Sequence, residues 1–263
     1  MKKENVFSYL ILIFAVVSSL VPILNLNIYN DNDFIKIVWF GNDLVTLFLM
    51  VPVFLISLIK NNKGSHAFRL IWLGCVWYML YNYVFYLFGA AFNSMFLFYV
   101  LIVACSIWTL IFGLYNTNAE KIRLLFKDTV PIKFVVTCMF LLGGIISLLW
   151  ITMSLRAILS GTIPPQVQTT GHITAIVFAI DLTLLVPPLF ISGILLLKKH
   201  KWGYISSVIV LVKAFSYSLV LLVVSLITYQ KTSTLEPLLG LWLILSMLVL
   251  FSLIGMLKNL KTL

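Results

Sequence analysis

Eight apolar runs separated by short polar segments dominate the chain: 6–26, 35–59, 68–91, 94–115, 131–155, 173–197, 203–229 and 237–257. A helix rises about 1.5 Å per residue, so a run of about 20 residues crosses a hydrocarbon core of about 30 Å. Several runs are rich in β-branched residues that would favour strands in water. In lipid every backbone group needs an internal partner, and runs of this length satisfy that need as helices. The alternation expected of a membrane β-barrel, in strands of about ten residues, is weak. The pattern therefore predicts an all-α membrane protein of eight transmembrane helices, one integral membrane domain over 1–263.

Composition agrees with that pattern. Hydrophobic residues make up 62% of the chain and charged residues 10%, against about 25% charged in a soluble domain. The 18 Lys and Arg against 8 Asp and Glu give a net charge of +10. On a soluble protein this balance would suggest nucleic acid. Placed on the predicted spans, it reads differently. With a cytoplasmic N-terminus, the inner segments hold Lys2, Lys3, Lys60, Lys63, Arg69, Lys121, Arg123, Lys127, Lys133, Lys198, Lys199, Lys201, Lys258 and Lys261, fourteen of the eighteen. Basic residues in short loops set orientation, so the expectation is N-in/C-in in the cell membrane, with lipid as the surrounding partner and no nucleic acid. The first run follows Lys2-Lys3, is too long for a signal-peptide core and lacks a small-x-small cleavage site, so it is read as an uncleaved first helix. Of the loops, inner segment 116–133 is expected to carry an interfacial helix around 121–127, and outer segment 156–172 contains Gly161, Pro164 and Pro165.

Two segments match at an offset of 135 positions. Val51-Pro52 through Ile56-Ser57 in the second run corresponds to Val186-Pro187 through Ile191-Ser192 in the sixth. Each lies downstream of an Asp-Leu pair, Asp43-Leu44 and Asp181-Leu182. Four spans per half is an even number, so the prediction is a parallel 4+4 repeat with halves 1–130 and 131–263.

Charges inside spans are costly, by about 2.5–3.5 kcal/mol on insertion scales. Asp43 and Asp181 fall roughly 12 Å from the outer ends of their helices, and Lys213 falls near the midplane. Asn82 shares this layer. Tyr78, Asn82 and Tyr86 recur every four residues and share a helix face, Lys213, Ser216 and Tyr217 share another, and Thr46 lies one turn from Asp43. Pro187 and Pro188 remove backbone donors and free carbonyls near Asp181. Candidate solute- or ion-binding residues are therefore Asp43, Asn82, Asp181, Lys213, Tyr78, Thr46, Ser216 and Tyr217. Two carboxylates against one lysine leave one unmatched, which fits proton or cation coupling. Cys75, Cys105 and Cys138 fall in different spans, and His66, His172 and His200 have no ligand spacing, so no metal and no cofactor is expected. Phosphate loops, nucleophile elbows and zinc-protease motifs are absent, and the chain is not expected to be an enzyme.

At these positions the chain resembles a family of uncharacterised eight-span bacterial integral membrane proteins. The resemblance is carried by Trp39-Phe-Gly41-Asn-Asp43-Leu-Val-Thr46, by the tyrosine-rich stretch Tyr78 to Asn93, and by Asp181-Leu182, Trp202-Gly203-Tyr204 and Leu211-Val212-Lys213. It implies the eight-span fold and the polar layer, and no activity. The family often carries a histidine one turn before the sixth-span aspartate. Phe178 stands there in this chain, which counts against a borrowed proton relay.

The leading expectation is a small-solute or ion transporter, coupled to a proton or cation, with a polar site between helices 2, 3, 6 and 7. The alternative is a non-catalytic membrane partner, such as an accessory subunit, sensor or assembly factor, in which the Asp-Lys cluster is structural.

Overall fold

A computed structural model describes residues 3–233, 235–236 and 238–261. Eight helices long and apolar enough to cross a membrane are present among them: Lys3–Leu24, Asp33–Asn62, His66–Gly89, Phe96–Tyr115, Ile132–Ser160, Ile176–Leu197, Lys201–Thr232 and Leu239–Lys258. These are the first to eighth spans. Described residues form no named strand; a single antiparallel bridge pairs Phe126 with Leu260. Lys2, expected among the inner basic residues, and Pro237, the expected start of the eighth span, lie outside the described residues.

Two connections carry helices of their own. Ala119–Leu125 is capped by the Asn118 side chain, which accepts from Lys121 N at 3.0 Å. Segment 156–172, expected as a loop, is partly helical. The fifth span runs on to Ser160, and Pro165–Thr170 forms a short helix. Lipid-length helices continue past a polar residue such as Arg156 because the helix itself satisfies the backbone.

The third span is the axis of the bundle: 72% of its apolar window is buried, against 28% for the eighth. Within the first four spans, the first packs on the second and fourth, and the third packs on the second and fourth. The last four repeat this arrangement, fifth on sixth and eighth, seventh on sixth and eighth. The two sets meet where the third span lies against the seventh, flanked by contacts of second with seventh and third with sixth.

A glycine permits the central contact. A Cβ on Gly74 of the third span would lie 2.5 Å from Val212 Cβ and 3.1 Å from the Ile209 carbonyl of the seventh. Only a residue without a side chain lets the two backbones approach this closely.

The second and sixth spans each contain one wide π turn, Thr46–Met50 and Asp181–Leu185. In both, the bond closing the turn spans five residues, Val51 N–H to Thr46 O and Val186 N–H to Asp181 O. Pro52 and Pro187 follow at once. A proline cannot donate and its ring crowds the carbonyl four residues back, so one extra residue in the turn relieves both problems without breaking the span.

The face at which the chain begins is tied by a buried polar network. Arg69 donates to Thr117 Oγ1 at 2.8 Å, to the Gly113 carbonyl at 2.8 Å and to Asn61 Oδ1 at 3.3 Å, and it lies 4.0 Å from Glu4. Glu4 accepts from Asn116 at 2.7 Å, and Asn5 donates to Asn62 at 2.9 Å. These bonds join the ends of the first four spans, so Arg69 is an internal fastener as well as a basic residue near a membrane face.

Gly74→Ala is expected to destabilise by about 1–3 kcal/mol through overpacking, read as a lower unfolding temperature in detergent. Gly144→Ala, where no atom lies within 4 Å of the added Cβ, serves as the silent control.

Candidate functional site

The intramembrane charges form two clusters on opposite flanks of the third span. In the first, Asp43 is 1% exposed. Its carboxylate accepts from the Tyr29 hydroxyl at 2.6 Å and the Tyr86 hydroxyl at 2.9 Å. Tyr29 reaches this position because a 3-10 turn, Leu26–Ile28, reverses the chain after the first span; the Asn25 side chain caps the turn. One helical turn from Asp43, Thr46 shares a hydrogen bond of 2.9 Å with Tyr78 and accepts from Asn82 at 3.3 Å. Tyr78, Asn82 and Tyr86 thus turn one face of the third span toward the second, as their spacing of four predicts.

The second cluster uses Tyr81, which lies about 140° around the helix from Tyr86. Tyr81 donates a hydrogen bond to Asp181, and the Trp150 indole donates to the other carboxylate oxygen at 2.8 Å. Lys213 Nζ stands 3.0 Å from the centroid of the Tyr81 ring and 5.0 Å from that of Tyr217. Among the described residues it has no hydrogen-bond partner, and no carboxylate oxygen lies within 4.0 Å of it. The lysine therefore faces the π surface of the tyrosine whose hydroxyl serves Asp181, a cation–π contact in place of a direct bridge.

Beside these clusters lies a cavity of about 610 Å³ between the second, third, sixth and seventh spans. Its walls include Trp39, Phe85, Trp150 and Phe178, and Asn42, Asn82 and Tyr217 lie at its inner end. The rim nearer the face opposite the N-terminus carries Gln166, Thr169, Thr170, His172 and Glu236. The short helix Pro165–Thr170 is held over this rim by Asn32, whose amide donates to the Thr169 and Thr170 carbonyls at 3.1 and 3.0 Å. The same Asn32 caps the second span through Ile35 N at 2.9 Å.

The predicted residues therefore divide. Asn82 and Tyr217 line the cavity. Asp43, Thr46, Tyr78, Asp181 and Lys213 do not; they are packed behind its walls. Ser216 joins neither group, since its hydroxyl donates to the Val212 carbonyl of its own helix at 2.8 Å. The carboxylate without a lysine, Asp43, has both oxygens occupied by phenols and does not line the cavity. Tyr29, Trp39 and Trp150 were not among the site residues expected from sequence, although Trp39 opens one of the motifs that carry the resemblance. Their roles depend on contacts across different helices and on one connecting loop, and an aromatic residue in a lipid-length run carries no mark of such a role.

No protein-family description, no curated protein and no solved structure matches this chain. The eight spans agree with the architecture that the resemblance implies, and no family is assigned.

Tyr86→Phe is expected to cost about 1–3 kcal/mol, because it leaves a buried carboxylate oxygen without its donor. Ser216→Ala, which removes a bond only to its own helix, is expected to change little, and thermal unfolding in detergent separates the two. His172 titrates at the rim. Burial holds its pKa below the usual 6.5, and the attraction of Asp31 only partly offsets that. A base with a lowered folded-state pKa binds fewer protons when folded, so its contribution is present above about 6.5 and is lost as pH falls below that value. The fall in unfolding temperature between pH 7.5 and 5.5 should be smaller in His172→Gln than in the parent.

Proposed function

We propose that this multi-pass membrane protein is a carrier that takes a small solute into the cavity between its second, third, sixth and seventh spans. The observation that carries this reading is the cavity itself. It lies where the two sets of four spans meet, is walled by residues of both, and has the neutral polar groups of Asn42, Asn82 and Tyr217 in its lining. Largely apolar pockets with a few convergent polar groups are the usual form of small-molecule sites. The reading includes no catalytic step.

A parallel internal repeat supports it. The offset of 135 that relates Val51–Ser57 to Val186–Ser192 also relates the two π turns, and the contacts of the first four spans recur in the last four. Halves 1–130 and 131–263 would then pivot about the third and seventh spans, around a site at their boundary. In this reading the basic face with Lys60, Lys63, Lys121 and Lys201 is cytoplasmic, and the cavity opens away from it. Asp181 and Lys213, which both meet Tyr81, would brace the halves, and Asp43 would fasten spans of the first half to each other. A coupling role for them would require the carboxylates to exchange their aromatic donors for water during the transport cycle.

One observation favours the non-catalytic membrane partner as a second reading. Both carboxylates are fully supplied with hydrogen bonds, while the eighth span turns Ile244, Met247 and Phe251 outward. Such a strip suits a neighbouring membrane helix.

Alternating access separates the two. With Cys75, Cys105 and Cys138 replaced by Ala, Leu221→Cys on the cavity wall should react with a membrane-impermeant maleimide applied at the open face. Ser207→Cys lies about 20 Å nearer the N-terminal face on nearly the same side of the seventh span. A carrier should expose it to the same reagent applied at the N-terminal face. Labelling at 221 with none at 207 from either face would sink the carrier reading.

A further inference from the structure

The cavity also specifies the chemistry of what it holds, and this inference rests on the same site as the carrier reading. Two side chains that line it, Trp39 and Asn42, are 3% and 2% exposed, yet among the described residues Trp39 Nε1 and Asn42 Oδ1 have no hydrogen-bond partner. Buried polar groups in native proteins are nearly always paired, so two unpaired groups on neighbouring wall residues call for a partner. Both atoms are closed off in this conformation, and a guest meets them once adjacent wall side chains move aside. They lie three residues apart on the second span and so share a helix face. One is an obligate donor. The other is an acceptor, because Asn42 Nδ2 is engaged with the Val38 carbonyl at 3.2 Å. The Trp39 ring is held in place by Tyr86, centroid to centroid 4.5 Å, and the Tyr86 hydroxyl, which donates to Asp43, lies 3.2 Å from the Trp39 carbonyl. The donor is thus fixed by the cluster that satisfies Asp43.

The rest of the lining excludes a charged guest. Lys213 and both aspartates lie outside the cavity. The one lining carboxylate, Glu236 at the rim, already accepts from Ser225 and from the Trp242 indole at 3.0 Å. The His172 imidazole in the lining is held toward its neutral form by burial. An ionised ligand would lose hydration with no countercharge to replace it. The walls meanwhile are largely apolar and rich in aromatic rings, Phe34, Phe85, Trp150 and Phe178 among them.

We infer that the site binds an uncharged, flat, largely apolar molecule bearing one polar group that both donates and accepts, an alcohol or amide, seated against Trp39 and Asn42.

A matched probe series tests this on the full chain in lipid nanodiscs, by energy transfer from the protein's tryptophans to pyrene. 1-Pyrenemethanol is expected to give a saturable signal, pyrene an affinity about 10-fold weaker, and 1-pyrenecarboxylate at pH 8 no saturable signal. Asn42→Leu should lower 1-pyrenemethanol to the affinity of pyrene while leaving pyrene binding intact, which also shows that the variant is folded. Trp39→Phe should reduce the same preference. Equal affinity for all three probes, preferred binding of the carboxylate, or an Asn42→Leu variant that keeps the alcohol preference would each overturn the assignment. Should the expected preference appear without labelling of Ser207→Cys, the ligand class stands and the carrier falls. Labelling at 207 without the preference leaves the carrier standing and rejects this ligand.

Discussion

A carboxylate inside a lipid-spanning bundle must be surrounded by donors, and that requirement organises this protein. Asp43 and Asp181 lie on opposite flanks of the third span, and each takes a phenolic hydroxyl from it, Tyr86 on one side and Tyr81 on the other. The remaining oxygens are served from elsewhere, by Tyr29 after the first span and by Trp150 of the fifth. Each aspartate thereby fastens at least three segments at one point. Removing a donor would leave a buried acceptor exposed to an apolar interior, so these contacts are hard to exchange one at a time.

The same fasteners shape the cavity. Trp150 gives its N–H to Asp181 and its ring to Phe178 in the wall. Trp39 packs its ring on Tyr86 and leaves its N–H unpaired. Each cluster thus fixes one tryptophan of the lining while keeping its own charges behind the wall. That separation explains how a bundle with three intramembrane ionisable residues encloses a site whose inner end is neutral. Lys213 adds to it: its side-chain nitrogen rests on the ring of Tyr81, the same residue whose hydroxyl serves Asp181.

The paired π turns link these features to the backbone. Each falls within about one turn of an aspartate and just before a proline. Inserting one extra residue rotates everything beyond it by about 100° relative to a regular helix. The segment carrying the aspartate and the segment carrying the proline can therefore each meet its own neighbours within one continuous span. A straight helix would have to give up one set of contacts.

The sequence alone determined the number of spans, their approximate limits, the layer that holds Asp43, Asn82, Asp181 and Lys213, and the shared face of Tyr78, Asn82 and Tyr86. Those properties follow from hydropathy, rise per residue and helical periodicity, all local along the chain. It could not tell which members of the layer border a cavity. Depth is fixed by position along a helix, whereas the direction a side chain faces is fixed by what packs against it. Tertiary structure decided that Asp43 and Asp181 are paired to tyrosines and a tryptophan, that Lys213 meets a ring instead of a carboxylate, and that Ser216 bonds its own helix. It also gave Tyr29, Trp39 and Trp150 their roles, since each depends on a partner or neighbour distant in sequence or beyond a loop reversal.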